Sequence, residues 1–427
     1  MSPYVVADEL YLWWLGRPET PLLIGSLRLL RASSGVSLQY APGWLRHGFA
    51  LSEDLPLLEG EFLPERSGEL VGAMDDARPD RWGERVIRHV AKPPRLSSLE
   101  YLYFAGDDRF GALGVSTSSD DYLPQRFGPL PHLGDVQEIR DLVRRVESNE
   151  PVPAERQRLI EPGATLGGAR PKGLIELDGL PWVVKFAELG ESMDAPLIEH
   201  ACMTLAAAAG IRVARTRAIT LRQGHAIAVL RFDRTADGER VRRVHAQSAF
   251  VALRAEGNSP GYPELAQLLR RRGALEGGVA KAHMRELFRR MVFNILMDNT
   301  DDHEKNHVLL MDDAQHLSLA PAFDVLPTAQ GLGYQQMRVG VNANDSTIVN
   351  SVSEARLFGM STDDAMQEAA GVARVCTGWK SHFRDAGVGA PDLEELARFV
   401  DRDFLRHQRD ELIDSGRGTS RAGARRR

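Results

Sequence analysis

The chain has 427 residues, 43% apolar and 26% charged, with a formal net charge of −6. That length suits two or three domains, and the composition supports buried cores and excludes a globally disordered chain. A pI near 6.1 excludes the basic surplus of a protein that grips nucleic acid over its whole surface.

In chain order, Met1-Ser-Pro-Tyr-Val-Val-Ala-Asp8 lacks the basic start and apolar run of a signal peptide. With two cysteines, Cys202 and Cys376, and no run of eighteen apolar residues, the expectation is a cytoplasmic chain without a membrane span. Residues 8 to 115 read as a small mixed α/β unit. Leu10 to Leu15 and Gly25 to Leu30 are strand-like, and Arg81 to Val90 is helical. Residues 116 to 134, rich in Ser, Asp, Pro and Gly, form a linker. Val136, Ile139, Leu142, Val143 and Val146 then give helical spacing behind an Asp135 cap.

From about residue 160 the pattern changes. Gly163 to Lys172 is a glycine-rich turn that can bring backbone N–H groups to phosphate, but it lacks the lysine of a P-loop. Strands follow over Gly173 to Leu177 and Trp182 to Phe186, joined by the hairpin signal Asp178-Gly179. Ala195 to Ala209 is a helix stopped by Gly210, and a hairpin over Arg212 to Phe232 turns at Gln223-Gly224. After Arg234 the chain reads as mainly helical, with Met284 to Asp298 the clearest helix. The expected partition is 1–115 as an N-terminal subdomain, 116–155 as linker and helix, 156–234 as a small lobe, 235–412 as a helical large lobe and 413–427 as a disordered basic tail. The fold class is α+β, a bilobed protein-kinase-like fold.

The chemistry concentrates in Asn299-Thr-Asp301-Asp-His303-Glu-Lys305-Asn306, at the end of that apolar helix. Asp301 and Asn306 stand five apart, the spacing of a kinase catalytic loop. One carboxylate accepts the proton of the attacking hydroxyl, and one turn later a neutral amide oxygen reaches Mg²⁺. Of the three neighbouring acids, Asp298 is expected in the last helical turn, pointing away. Asp302 is expected to face opposite to Asp301, which leaves Asp301 as the base. Two short strands around Asp312-Asp-Ala-Gln lead to Pro321-Ala-Phe-Asp324, where a lone aspartate at a strand exit matches a second metal ligand. Upstream, Lys185 ends an apolar strand and Glu199 lies in a nearly apolar helix. The two are expected to form the strand–helix ion pair that positions ATP phosphates. Leu230-Arg-Phe232-Asp-Arg234 is expected as an interlobe hinge, with Phe232 against adenine. Lysine occurs only six times against 47 arginines, and Lys172, Lys185 and Lys305 all fall in these motifs.

Together these residues resemble the HipA toxin kinases. The matching stretches are Gly168-Ala-Arg-Pro-Lys172, Lys185, Glu199, Arg231 to Arg234, Asn299 to Asn306 and Pro321 to Asp324. In the N-terminal unit they are Tyr40 to Leu45, Pro79 to Val86 and Gly106 to Gly111. The resemblance implies a serine/threonine protein kinase using ATP and Mg²⁺, with Asp301, Lys305 and Asn306 catalytic and Asn306 and Asp324 on the metal. It implies ATP contacts from Thr165, Gly167, Gly168, Lys172, Lys185 and Glu199, and from Leu230, Phe232 and His303. Thr165 stands where the family carries an autophosphorylated serine, and Leu230 where it carries a hinge acid. The resemblance further implies a HipB-like helix-turn-helix antitoxin, contact with DNA only through that antitoxin, and an aminoacyl-tRNA synthetase as the protein substrate. A small-molecule kinase of aminoglycoside-phosphotransferase type shares the Asp-x-x-x-x-Asn logic without the N-terminal unit. A non-catalytic co-repressor would leave the filled phosphotransfer positions unexplained.

Overall fold

The computed structural model describes residues 4–125, 128–160, 162, 168–237 and 240–424. Its strands and helices alternate irregularly along an α+β chain. The first part holds β1 (Glu9–Trp14), β2 (Leu22–Leu30), β3 (Gly35–Tyr40), α1 (Pro42–His47), β4 (Glu61–Phe62), α2 (Met74–Ala77), α3 (Arg81–Val86), α4 (Ser98–Phe104), β5 (Leu113–Ser116) and α5 (Val136–Glu147). Next come β6 (Lys172–Leu177), β7 (Leu180–Phe186), α6 (Ala195–Ala208), β8 (Thr216–Thr220), β9 (His225–Leu230), β10 (Arg234–Asp237), β11 (Arg240–Arg243), β12 (His245–Ser248) and α7 (Ala249–Ala255). The remainder holds α8 (Tyr262–Arg272), α9 (Val279–Leu296), β13 (Val308–Met311), β14 (Leu317–Leu319), α10 (Ile348–Ser353), α11 (Thr362–Cys376), α12 (Trp379–Asp385), α13 (Ala390–Val400) and α14 (Asp403–Ala424).

The chain divides into two compact units. One takes residues up to 190 with 228–257 and 310–315; the other takes 191–227, 258–309 and 316 onward. In the first unit β4-β3-β2-β1-β5 form an antiparallel sheet. Its buried face sets Leu10, Leu12, Ile24, Leu27, Val36, Leu38 and Val115 against Leu99, Leu102 and Met74. Gly25 is required by the pairing: a Cβ there would lie 2.1 Å from the Gln39 carbonyl oxygen. The β6–β7 hairpin turns on Asp178 and Gly179 with φ of 55° and 71°, the left-handed pair of a type I′ turn.

Several expectations shift. Asp135 does not cap α5; its carboxylate accepts the His132 N–H at 2.8 Å and closes a 3₁₀ turn that precedes the helix. The stretch after Arg234 is not yet helical, because β10, β11 and β12 come first. In the β10–β11 pair Arg234 and Arg243 are buried and stand opposite each other in register. From 413 as far as Ala424 the backbone is helical. Among the described residues no helix is long and apolar enough to cross a membrane.

Buried arginines need an acid, and Asp233 supplies it. Its carboxylate accepts from Arg231 Nε at 3.0 Å and Nη2 at 2.7 Å, from Arg234 Nη1 at 2.7 Å and from the Gly111 N–H at 2.8 Å. The guanidinium groups also donate to the Asp108, Arg109 and Gly111 carbonyls. The Arg-Phe-Asp-Arg motif is thereby bonded to the Gly106–Gly111 loop. Burial pushes the Asp233 carboxyl up, and the Arg231 and Arg234 charges overcome this and hold it well below its ordinary value. A depressed carboxyl stabilises the fold above its unfolded pKa of about 4 and loses that contribution as pH falls further. Asp233→Asn is expected to lower unfolding free energy by about 3–5 kcal/mol, the range for stranding a buried charge. Urea denaturation at neutral pH checks this, and the deficit should shrink on acidification below about pH 4.

Candidate active site

Helix α9 reaches its end through residues that are all buried from Met291 to Met297, so the chain must turn sharply to present polar groups. Asp298 makes the turn with φ of 54°, a left-handed conformation that aspartate tolerates. It therefore lies beyond the helix rather than in its last turn. Its carboxylate accepts from Arg402 Nη2 at 2.6 Å and from the Gly331 N–H at 3.1 Å. Its carbonyl accepts from Thr328 N–H at 3.1 Å and Oγ1 at 2.9 Å. Burial pushes the Asp298 carboxyl up while Arg402 draws it down. This aspartate is occupied in shaping the turn.

The next residues alternate. Asp301 is exposed and Asp302 is buried, as expected for neighbours in an extended loop. Asp302 accepts from the Tyr262 hydroxyl and from His307 Nε2. Its carboxyl feels burial upward, but the His307 interaction draws it below the ordinary value. Glu304–Asn306 forms a 3₁₀ turn in which His303 Nδ1 accepts the Lys305 N–H at 3.2 Å and the His303 carbonyl accepts the Asn306 N–H at 2.9 Å. Asn306 is 5% exposed, and its Oδ1 has no hydrogen-bond partner among the described residues.

Asp324 takes φ of 57° after a segment pinned on both sides. Ala322 N–H donates to the Arg212 carbonyl and Ala214 N–H to the Ala322 carbonyl, each at 2.8 Å. Arg290 Nη2 donates to the Ala320 carbonyl at 2.6 Å and Arg212 Nη2 to that of Leu319 at 2.7 Å. The flanking Phe323 and Val325 line the same small pocket as Asn306, Asp302 and His307. Among the described residues no cluster of three or more His, Cys, Asp or Glu is arranged for a metal. Mg²⁺ held by one carboxylate, one amide oxygen and phosphates needs none. The unpartnered Asn306 Oδ1 fits that hard cation.

In the first unit Thr165 and Gly167 lie outside the described residues. Gly168 is left-handed with φ of 85°. Lys172 and Lys185 face each other across β6 and β7, exposed to only 1% and 2%. Two buried ammonium groups in register repel, so acids must serve them. Lys172 Nζ bonds the Asp80 carboxylate and the Gly168 carbonyl, the latter at 3.1 Å. Asp80 also caps α3 through the Gly83 N–H, and Trp82 Nε1 donates to the Lys172 carbonyl at 2.8 Å. Leu230 ends β9, and Phe232 meets Phe110 edge-on at 6.0 Å. Glu199, in the second unit, is 1% exposed on α6. Sequence reasoning overlooked Tyr262, His307 and Asp80. The signal for His307 was present, since Asp302 and His307 repeat the five-residue offset of Asp301 and Asn306.

Residues 164–379 match the HipA-like C-terminal domain and residues 21–116 the HipA N-terminal domain. A putative kinase of Sinorhizobium fredii, Y4mE, is 25% identical over 405 residues, spanning 90% of this chain and 86% of that protein. A second putative kinase from the same organism, Y4dM, is 28% identical over 204 residues, spanning 45% of this chain and 46% of that protein. Among solved structures, a chain of the Shewanella oneidensis toxin–antitoxin complex of HipA, HipB and operator DNA has a similar fold. It superposes with a TM-score of 0.66 at 18% identity, covering 96% of this chain and 99% of that one.

The Asp298 turn makes its own prediction. Arg402→Met is expected to cost about 1–3 kcal/mol by leaving a buried acceptor short of its donor. Asp298→Asn combined with Arg402→Met should cost less than the sum of the two single changes, which a double-mutant cycle in denaturant measures.

Proposed function

The chain belongs to the HipA family, and on that footing we propose that it is an ATP- and Mg²⁺-dependent serine/threonine protein kinase. One observation carries the reading: an exposed Asp301 stands five residues before a buried Asn306 whose amide oxygen has no partner among the described residues. An exposed carboxylate and a fixed neutral acceptor at that offset are what phosphoryl transfer to a hydroxyl asks of a loop.

Asp301 accepts the proton of the attacking hydroxyl. Asn306 and Asp324 would hold Mg²⁺, which when bound neutralises charge on the phosphates. Lys305, in the same turn, offsets charge on the transferred group. Lys172 and Lys185 are the cations proposed for the phosphates in the first unit. The acceptor class proposed is a protein hydroxyl, with an aminoacyl-tRNA synthetase as the candidate. A HipB-like helix-turn-helix antitoxin is the proposed partner, since the Shewanella structure contains HipA, HipB and operator DNA.

Steady-state phosphotransfer tests the assignments. Asp301→Asn is expected to lower turnover by about two to four orders of magnitude, the range for loss of a general base. Asp324→Asn is expected to abolish turnover at ordinary Mg²⁺ while the far-UV circular dichroism stays that of the parent. Asp301→Asn at near-parental turnover would remove the base assignment, and an unchanged Mg²⁺ requirement in Asp324→Asn would remove the metal assignment.

A further inference from the structure

The catalytic-loop region of the second unit contains a buried polar circuit that the phosphotransfer chemistry does not use. Asn299 Nδ2 donates to Asn294 Oδ1 at 3.0 Å, Asn294 Nδ2 donates to the Tyr262 hydroxyl at 3.3 Å, and that hydroxyl donates to Asp302 Oδ2. The same Oδ2 accepts His307 Nε2 at 2.7 Å. All five side chains are buried, and the Tyr262 and His307 rings pack edge to face at 5.4 Å. The circuit leaves the loop at its start, passes through α9 and α8, and returns at the loop's end.

We propose that Tyr262, Asp302 and His307 are positioning residues that fix the span between Asp301 and Asn306. The inference rests on the kinase reading of those two residues. Asp302 is the neighbour of Asp301, and His307 is the neighbour of Asn306. A bond between residues 302 and 307 therefore sets, one residue along, the separation of the two groups that must converge on one phosphate. Asp302, Asn294 and His307 also line the pocket that Asn306 lines, so the clamp and the proposed metal ligand share one wall.

Stability alone does not call for this arrangement. A buried carboxylate with its donors contributes little net stability over apolar packing of the same volume, and its best-attested use is to select one register. Here two donors from separate elements meet on a single oxygen, which leaves the loop one register in which both bonds close. Partners of metal ligands behave this way elsewhere, and their loss costs about 10–100-fold in activity or metal affinity.

The test uses the full chain with ATP and titrated Mg²⁺, comparing the parent with Tyr262→Phe, Asp302→Asn and the double variant. Tyr262→Phe keeps the ring and removes only the hydroxyl, so it tests the circuit even where Asp302→Asn folds poorly. Turnover number is expected to fall by about 10–100-fold in Asp302→Asn and by less in Tyr262→Phe. KM for ATP should stay at the parental value and half-saturating Mg²⁺ should rise. The double variant should be no slower than Asp302→Asn, because both changes cut one circuit. If the parent turns over ATP and both single variants match its turnover number and Mg²⁺ dependence, with only their melting temperatures lowered, the clamp is structural and the proposal falls alone. A parent that neither turns over ATP nor binds Mg²⁺–ATP in calorimetry overturns the kinase reading and the proposal together.

Discussion

A single carboxylate oxygen, Asp302 Oδ2, takes hydrogen bonds from Tyr262 at the head of α8 and from His307 at the approach to β13. Much of the second unit is arranged so that this can happen. An ionised acid in the interior must be fully served or it neutralises, so the elements that carry its donors have to arrive together. Helix α9 supplies the apolar wall, ending in a left-handed Asp298 that Arg402 and Thr328 secure. The loop that follows then has an inward and an outward side: Asp302 faces in and Asp301 faces out.

The first unit is organised by the same constraint with other residues. Asp233 collects two arginines and the Gly111 N–H, which joins the segment after β9 to a loop more than a hundred residues earlier in the chain. Asp80 caps α3 and pairs with Lys172 at the start of β6. The residues that resemble family motifs in the N-terminal stretch, Pro79 to Val86 and Gly106 to Gly111, are those that make these bonds. Their role in this unit is to hold the glycine-rich segment's neighbour Lys172 and the Arg-Phe-Asp-Arg motif in place.

What could be read from the sequence was whatever depends on local pattern. Apolar periodicity gave α6 and α9, and Asp178-Gly179 gave the β6–β7 turn. The offset of Asp301 and Asn306 gave the loop. What could not be read depends on partners far along the chain. The bond of Lys172 to Asp80, 92 residues away, carries no local signature. Arg231 and Arg234 carry no local signature of the Arg109 and Gly111 carbonyls that they meet more than a hundred residues away. Asp298 looked helical because periodicity does not reveal a left-handed residue. Asp302 and His307 were legible in spacing but were overshadowed by the pair beside them.

The chain has a HipA-family fold with this loop, and the proposed phosphoryl transfer to a protein hydroxyl is tested at its acceptor. The most direct measurement incubates the full chain with γ-labelled ATP, Mg²⁺ and a cell lysate, then identifies the labelled species and the residue that carries the phosphate. The account predicts Mg²⁺-dependent label on serine or threonine of a protein, absent with the Asp301→Asn chain. Label found only on small molecules, or label on protein that persists in the Asp301→Asn chain, would contradict it.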